Sequence, residues 1–231
     1  MSAKSAPTRP MPRLYLATPV VDDATAFARI LPYLLAHTDV AAVLLRLADS
    51  DPRTLVSRIK AVATAVPGGS AALLLDGHAD LVARAGADGA HLTGIGAMQD
   101  ALPSLKPDRI AGVGGLSTRH ESMIAGEAGA DYVLFGEPDG NNGRPSVDSI
   151  AERLQWWAEL FEPPCVGFAA SVDEARTFAA AGADFVLAGD FIWTDPRGAA
   201  AALMDTAHAI RQGQGSQNGR TISGTAEAGQ G

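Results

Sequence analysis

Only one cysteine, Cys165, occurs in the 231 residues, so no disulfide can form within the chain and a reduced, cytoplasmic setting is the expectation. Long apolar runs are missing as well. With no stretch of about 20 such residues, no membrane-spanning helix is expected, and the opening MSAKSAPTRPMPR lacks the hydrophobic core of a signal peptide. Cations are scarce: 18 Lys and Arg stand against 26 Asp and Glu, a net charge of −8 with a pI near 5.0. That balance argues against a nucleic-acid surface. It also means that an anionic substrate must be held by local groups against an unfavourable overall field.

Hydrophobic residues are plentiful, at 47%, enough to bury a sizeable core. They are arranged around one phrase written three times: AGADGAHL from Ala85, AGADYVLFG from Ala128 and AGADFVLAG from Ala181. In each, a glycine suited to the left-handed end of a helix precedes an aspartate and then a short apolar run. The run reads as a parallel strand buried on both faces, and the aspartate at its entrance is placed to bond nearby backbone N–H groups. A weaker copy is Thr38-Asp39-Val40. The spacing between copies leaves room for two βα units in each interval.

Eight strand-like runs follow from this pattern, at 13–17, 40–47, 71–75, 89–92, 109–113, 132–135, 165–168 and 185–188. Helical segments fill every gap: 22–36, 52–65, 78–85, 97–105, 117–128, 146–161, 172–181 and 197–211. Ser117 with Glu121, and Ser171 with Glu174, carry cap chemistry at two helix starts. Eight alternating pairs without a compositional break predict one α/β domain over 13–211, a single (β/α)8 TIM barrel, for which roughly 250 residues is typical. A flavodoxin-like open sheet would leave several αβ units unaccounted for. The polar lead 1–12 and the Gly/Ser/Gln-rich tail 212–231 are expected to be disordered. In such a barrel, chemistry sits where strands run into the following helices.

Read in order, the loops at those strand ends resemble thiamine-phosphate synthases and their relatives, the aminothiazole tautomerases. GADGAHL (Gly86 to Leu92) is similar to the family's GADGVHL, GVGGLSTRH (Gly112 to His120) to its glycine-serine-histidine loop, and AGADYVLFG to its following strand. The resemblance covers about 13–211. It implies a reaction in which a pyrimidine diphosphate loses pyrophosphate and the carbocation is trapped by the nitrogen of a thiazole phosphate. Such chemistry needs cations around the leaving group, Mg2+ on carboxylates among them, and a backbone cup for the second substrate's phosphate. The implied partners are thus small phosphorylated molecules.

Carried over residue by residue, the resemblance gives Arg46 the pyrophosphate and Asp76 the Mg2+, the latter after a one-residue slip of Asp76-Gly77-His78 against the family's Asn-Asp-Arg. His91 matches the family's HL pair, and Ser117 the serine that assists the leaving group. His120 lies one residue late for the tautomerases' acid/base histidine, whose near-neutral titration suits proton transfer. Arg144 stands in for a loop lysine, and Ala169, Ala170 and Ser171 occupy the phosphate cup. The departures are concrete. Leu44 and Ala48 replace a glutamine and a lysine, no acid occurs in Thr93-Gly94-Ile95-Gly96, and Ala169-Ala170 and Gly189-Asp190 replace a Gly-Gly pair and a Val-Ser pair. Alanine is poor at the positive φ that glycine adopts. An aspartate a few ångströms from a phosphate costs on the order of several kcal/mol at an effective dielectric of about 20.

Three readings stay open at this point: a divergent synthase, a metal-free tautomerase-like isomerase using His91 or His120, and a non-catalytic barrel that has lost its phosphate and metal groups. Trp156-Trp157 suits helix packing or a contact in a homo-oligomer, and the sequence does not choose between them.

Overall fold

A computed structural model describes residues 10–139 and 143–223. Residues 1–9 of the expected lead, 140–142 of the loop before Arg144 and 224–231 of the expected tail lie outside the described residues. Eight parallel strands close into one barrel in chain order. They are β1 (Arg13–Val21), β2 (Val40–Leu47), β3 (Ala72–Asp76), β4 (Gly89–Thr93), β5 (Ile110–Gly114), β6 (Tyr132–Phe135), β7 (Cys165–Ala169) and β8 (Phe185–Ala188). The connecting helices are α1 (Ala24–His37), α2 (Pro52–Ala65), α3 (Val82–Ala85), α4 (Ile95–Leu105), α5 (Arg119–Glu127), α6 (Val147–Leu160) and α7 (Val172–Ala180). A short α8 (Phe191–Thr194) and a long α9 (Ala199–Ser223) complete the circuit. This is the (β/α)8 barrel that the repeated phrase predicts.

The phrase works as a joint. Gly86, Gly129 and Gly182 take φ values of 77°, 100° and 95°, the left-handed region that only glycine enters without strain. The aspartates then reach back to the preceding strand. Asp88 accepts the Leu73 N–H at 2.7 Å, Asp131 that of Ala111 at 2.7 Å, and Asp184 that of Cys165 at 2.8 Å. Each thereby satisfies an amide at the bottom of β3, β5 or β7. Asp39, from the weaker copy, pairs instead with Arg13 at 2.8 Å. An aspartate thus precedes each even-numbered strand, which accounts for two βα units per interval. Because a hydrogen bond to a charged acceptor contributes about 1.5–3 kcal/mol, Asp184→Ala is expected to lower unfolding stability by about that amount. Denaturant titration measures it, and an unchanged midpoint would contradict the role given to the joint.

Two apolar layers hold the barrel. Tyr15, Ala17, Leu44, Leu74, Tyr132 and Leu134 point into its interior with Val166 and Leu187, while the alternate strand residues pack outward under the helices, as the two-residue period of a strand requires. Trp157 belongs to that outer layer. It is fully buried, stacks on Phe161 at 4.3 Å and donates its indole N–H to the Pro163 carbonyl. Trp156 lies beside it under the Arg119 guanidinium.

Among the boundaries that differ from the sequence pattern, two have identifiable reasons. The cap of α5 is Thr118, whose side chain accepts the Glu121 N–H in a full capping box, so Ser117 sits one residue outside it. Helix α9 continues past Arg211, because buried Gly213 is a packing contact and not a breaker. A Cβ there would lie 2.3 Å from the Arg176 carbonyl oxygen on α7, so its absence lets the two helices approach.

Candidate active site

At the mouth of the barrel a buried chain of polar groups runs up the axis. The hydroxyls of Tyr15 and Tyr132 are 3.1 Å apart, the Tyr132 hydroxyl is 2.9 Å from His91 Nδ1, and His91 Nε2 is 3.0 Å from Glu137 Oε1. Glu137 Oε2 accepts the Gly115 N–H at 3.0 Å. His91 is only 1% exposed, so each ring nitrogen needs the partner it has. Glycines make the room. A Cβ on Gly112 would lie 2.0 Å from the Tyr132 ring, and one on Gly114 would lie 1.7 Å from Glu137 Oε2. The GVGG run is therefore shaped by the side chains that cross it.

Asp76 ends β3 directly opposite His91 on β4. Burial raises its carboxyl above the ordinary value of 3.8, a rise that His91 and Arg46 oppose and Glu137 reinforces. Burial likewise raises both tyrosine hydroxyls, Tyr132 and nearby acids adding to the effect at Tyr15. For Asp76 the native state binds a proton more readily than the unfolded chain, so its contribution to stability is full below the ordinary value and is lost as pH rises through the raised one. Asp76→Asn is accordingly expected to be more heat-stable than the parent near neutral pH. The gain should shrink as the pH falls towards the ordinary carboxyl value. Melting curves across that range measure it, and a pH-independent difference would contradict the assignment.

Arg46 closes β2 beside this cluster. Its backbone N–H donates to the hydroxyl of buried Thr18 at 3.0 Å, and its Nε donates to the Thr18 carbonyl. One terminal nitrogen pairs with Asp190 at the end of β8, a carboxylate whose side chain is 72% exposed. A pair so open to solvent contributes little, which leaves the guanidinium available to an anion entering the mouth.

The remaining candidates lie in the rim loops. The backbone N–H groups of Ser117 and Thr118 donate to the Glu121 carboxylate at 2.7 and 2.9 Å, and His120 is exposed in the first turn of α5. Neither joins the His91 cluster. Arg153 on α6, absent from the sequence candidates, donates to the carbonyls of Leu116 and Ser117 at 2.8 and 3.0 Å. It borders a cavity of about 570 Å3 over the ends of β5 and β6, lined also by Gly115, Ser117, Glu137 and Arg144. Arg144 donates to the carbonyls of Gly136 and Phe168 and pairs with Glu174 at 2.7 Å. Ala169 is buried, the Ala170 N–H donates to Glu174 Oε2 at 2.9 Å, and Ser171 caps α7.

These residues do not form a cage of several carboxylates for Mg2+; a cation here would rest on Asp76 together with the substrate's own phosphates. Asp76 stands at the mouth without a second acid free to join it: Glu137 is engaged by His91 and Gly115, Asp190 by Arg46, and Thr93 to Gly96 offer none. Among the described residues there is no group of three His, Cys, Asp or Glu side chains placed to hold a metal ion. Nor, among them, is any helix long and apolar enough to cross a membrane.

Comparison with known proteins bears on this arrangement. The family model described as thiamine monophosphate synthase (TMP-TENI) matches residues 14–186. A thiamine-phosphate synthase of Rhodospirillum centenum is 37% identical over 203 residues, covering 86% of this chain and 98% of the relative. One from Hyphomonas neptunium is 35% identical over 208 residues, covering 86% and 94%. Among solved structures, the thiamine phosphate pyrophosphorylase of Pyrococcus furiosus shares the fold at a TM-score of 0.70 and 18% identity, covering 87% of this chain and 96% of that one. By its matched length and by these relatives, the chain belongs to the thiamine monophosphate synthase family.

Proposed function

We propose that this chain joins a pyrimidine diphosphate to the ring nitrogen of a thiazole phosphate, with release of pyrophosphate. The observation that carries the reading, beside family membership, is the convergence of Arg46, Asp76 and the His91–Glu137 pair on one mouth. In the step itself the bond from the pyrimidine methylene carbon to the diphosphate oxygen breaks, its electron pair leaving with pyrophosphate. The thiazole nitrogen lone pair then forms the new C–N bond. Arg46, released from its exposed partner Asp190, meets the diphosphate as a fork of donors. Asp76 and Glu137 line the space where positive charge develops, which favours the carbocation and the cationic product.

His91 serves as a positioning residue. Held between Tyr132 and Glu137, it fixes the carboxylate that faces the reacting carbon. The tautomerase-like alternative draws no support from His120, exposed on α5 and away from the cluster. The lone cysteine, buried in β7, is in keeping with a cytoplasmic setting. The test is pyrophosphate release by purified protein given the pyrimidine diphosphate alone, the thiazole phosphate alone, and both. Release accelerated by the presence of both supports the reading, and a rate equal to the uncatalysed one overturns it.

A further inference from the structure

The buried chain from Tyr15 through Tyr132 and His91 to Glu137 has a direction, and the number of protons it holds fixes which way it runs. Both tyrosines are buried, and burial raises their hydroxyls above the ordinary value, so each keeps its proton. Among the described residues the Tyr15 hydroxyl hydrogen-bonds only to that of Tyr132, which in turn bonds only to Tyr15 and His91 Nδ1. A cavity of about 300 Å3 that both tyrosines border adds no free acceptor. Its Ala42, Leu74, Val166 and Phe185 side chains are apolar, and Asp131 is engaged by the Ala111 N–H and Lys106.

A hydroxyl donates one proton and can accept in return, whereas a ring nitrogen of histidine does one or the other. Were Nδ1 to carry a proton, Tyr132 would have to accept it, and one of the two hydroxyl protons would be left buried without an acceptor. The arrangement that places every proton runs one way: Tyr15 donates to Tyr132, Tyr132 donates to Nδ1, and Nε2–H donates to Glu137 Oε1. Glu137 Oε2 can only accept there, since its partner is the Gly115 N–H. We propose that Tyr132, backed by Tyr15, is a positioning residue of the reaction: it fixes His91 in the Nε2–H tautomer and commits the one ring proton to Glu137. His91 then orients a carboxylate and exchanges no proton with substrate. The inference rests on the transferase reading, to which it adds two side chains inside the barrel.

Nitrogen-15 NMR of the full chain labelled at histidine, with the His91 signals identified by their loss in His91→Gln, reads the tautomer apart from turnover. The parent is expected to show a protonated Nε2 and a bare, hydrogen-bonded Nδ1. Tyr132→Phe keeps the ring and removes the donor. Its Nδ1 signal should move to that of a nitrogen without a hydrogen bond, and kcat should fall about tenfold, the scale on which outer partners of a site histidine act, with KM little changed. Tyr15→Phe leaves Tyr132 its acceptor, so the tautomer should persist with a smaller loss of kcat. A proton on Nδ1 in the parent overturns the inference, as does a folded Tyr132→Phe protein with the parent's kcat. If that variant fails to fold, the parent spectrum and Tyr15→Phe decide. The expected spectrum in a parent chain that forms no joined product would sink the transferase reading and leave the tautomer standing.

Discussion

Replacing Arg46 with alanine is expected to lower kcat/KM for the pyrimidine diphosphate by about 10²–10³-fold, the range seen when one preorganised donor to a developing anion is removed. The one ion pair of Arg46 among the described residues is to the solvent-open Asp190, so its guanidinium can turn to the leaving group. Asp190 pairs with it, Asp76 lies close by, and the net charge of −8 offers no help from afar. The fold should survive the change, because the Thr18 hydroxyl is bonded to the backbone of Arg46 and not to its side chain. Arg46→Lys restores charge without the fork and should recover only part of the loss. Steady-state kinetics with circular dichroism as a control measures this, and a variant within about threefold of the parent would remove Arg46 from the site.

The second large effect is structural. Gly112→Ala places a methyl 2.0 Å from Tyr132 Cζ and 2.3 Å from its hydroxyl oxygen. The ring cannot swing away freely: it is buried, lies edge-on to Tyr15 at 6.0 Å, and runs parallel to His91 at 5.7 Å. Moving it would also break the bonds to Tyr15 and His91. Overpacking of this kind costs about 1–3 kcal/mol, and each buried polar group left without a partner adds about 1–3 kcal/mol. The variant is therefore expected to lose about 3 kcal/mol or more in urea unfolding, with turnover falling alongside as His91 shifts. Native stability in Gly112→Ala would show that the glycine makes no room for the tyrosine.

The barrel was legible because its signal is local. A glycine that must take positive φ, an aspartate that reaches one strand back, and a buried apolar run all fall within nine consecutive residues, three times over. The centre of the site was less so. Asp76 ends β3 and His91 faces it from the middle of β4, and both can be picked out as polar groups in apolar runs, but Tyr15 and Tyr132 read as ordinary strand residues. Glu137 reads as an acid that spoils a basic loop, whereas its partner lies 46 residues away in β4. The readable trace of that partnership is the GVGG run, whose first and third positions hold no side chain because Tyr132 and Glu137 occupy the space. Arg144 shows the opposite case. Its charge suggests an anion contact, yet Glu174, one helix further on, claims it. The capping-box spacing of Ser171 and Glu174 is visible in the sequence, while the capture of the Ala170 N–H and the arginine by the same carboxylate is a property of the closed barrel.

The most direct measurement is the identity and stoichiometry of the product made by the purified chain from pyrimidine diphosphate and thiazole phosphate. Mass spectrometry of the quenched reaction should find the two rings joined through the thiazole nitrogen. One pyrophosphate should appear for each new C–N bond. Folded protein that forms no joined product, or that releases pyrophosphate only as free pyrimidine alcohol accumulates, would contradict the account.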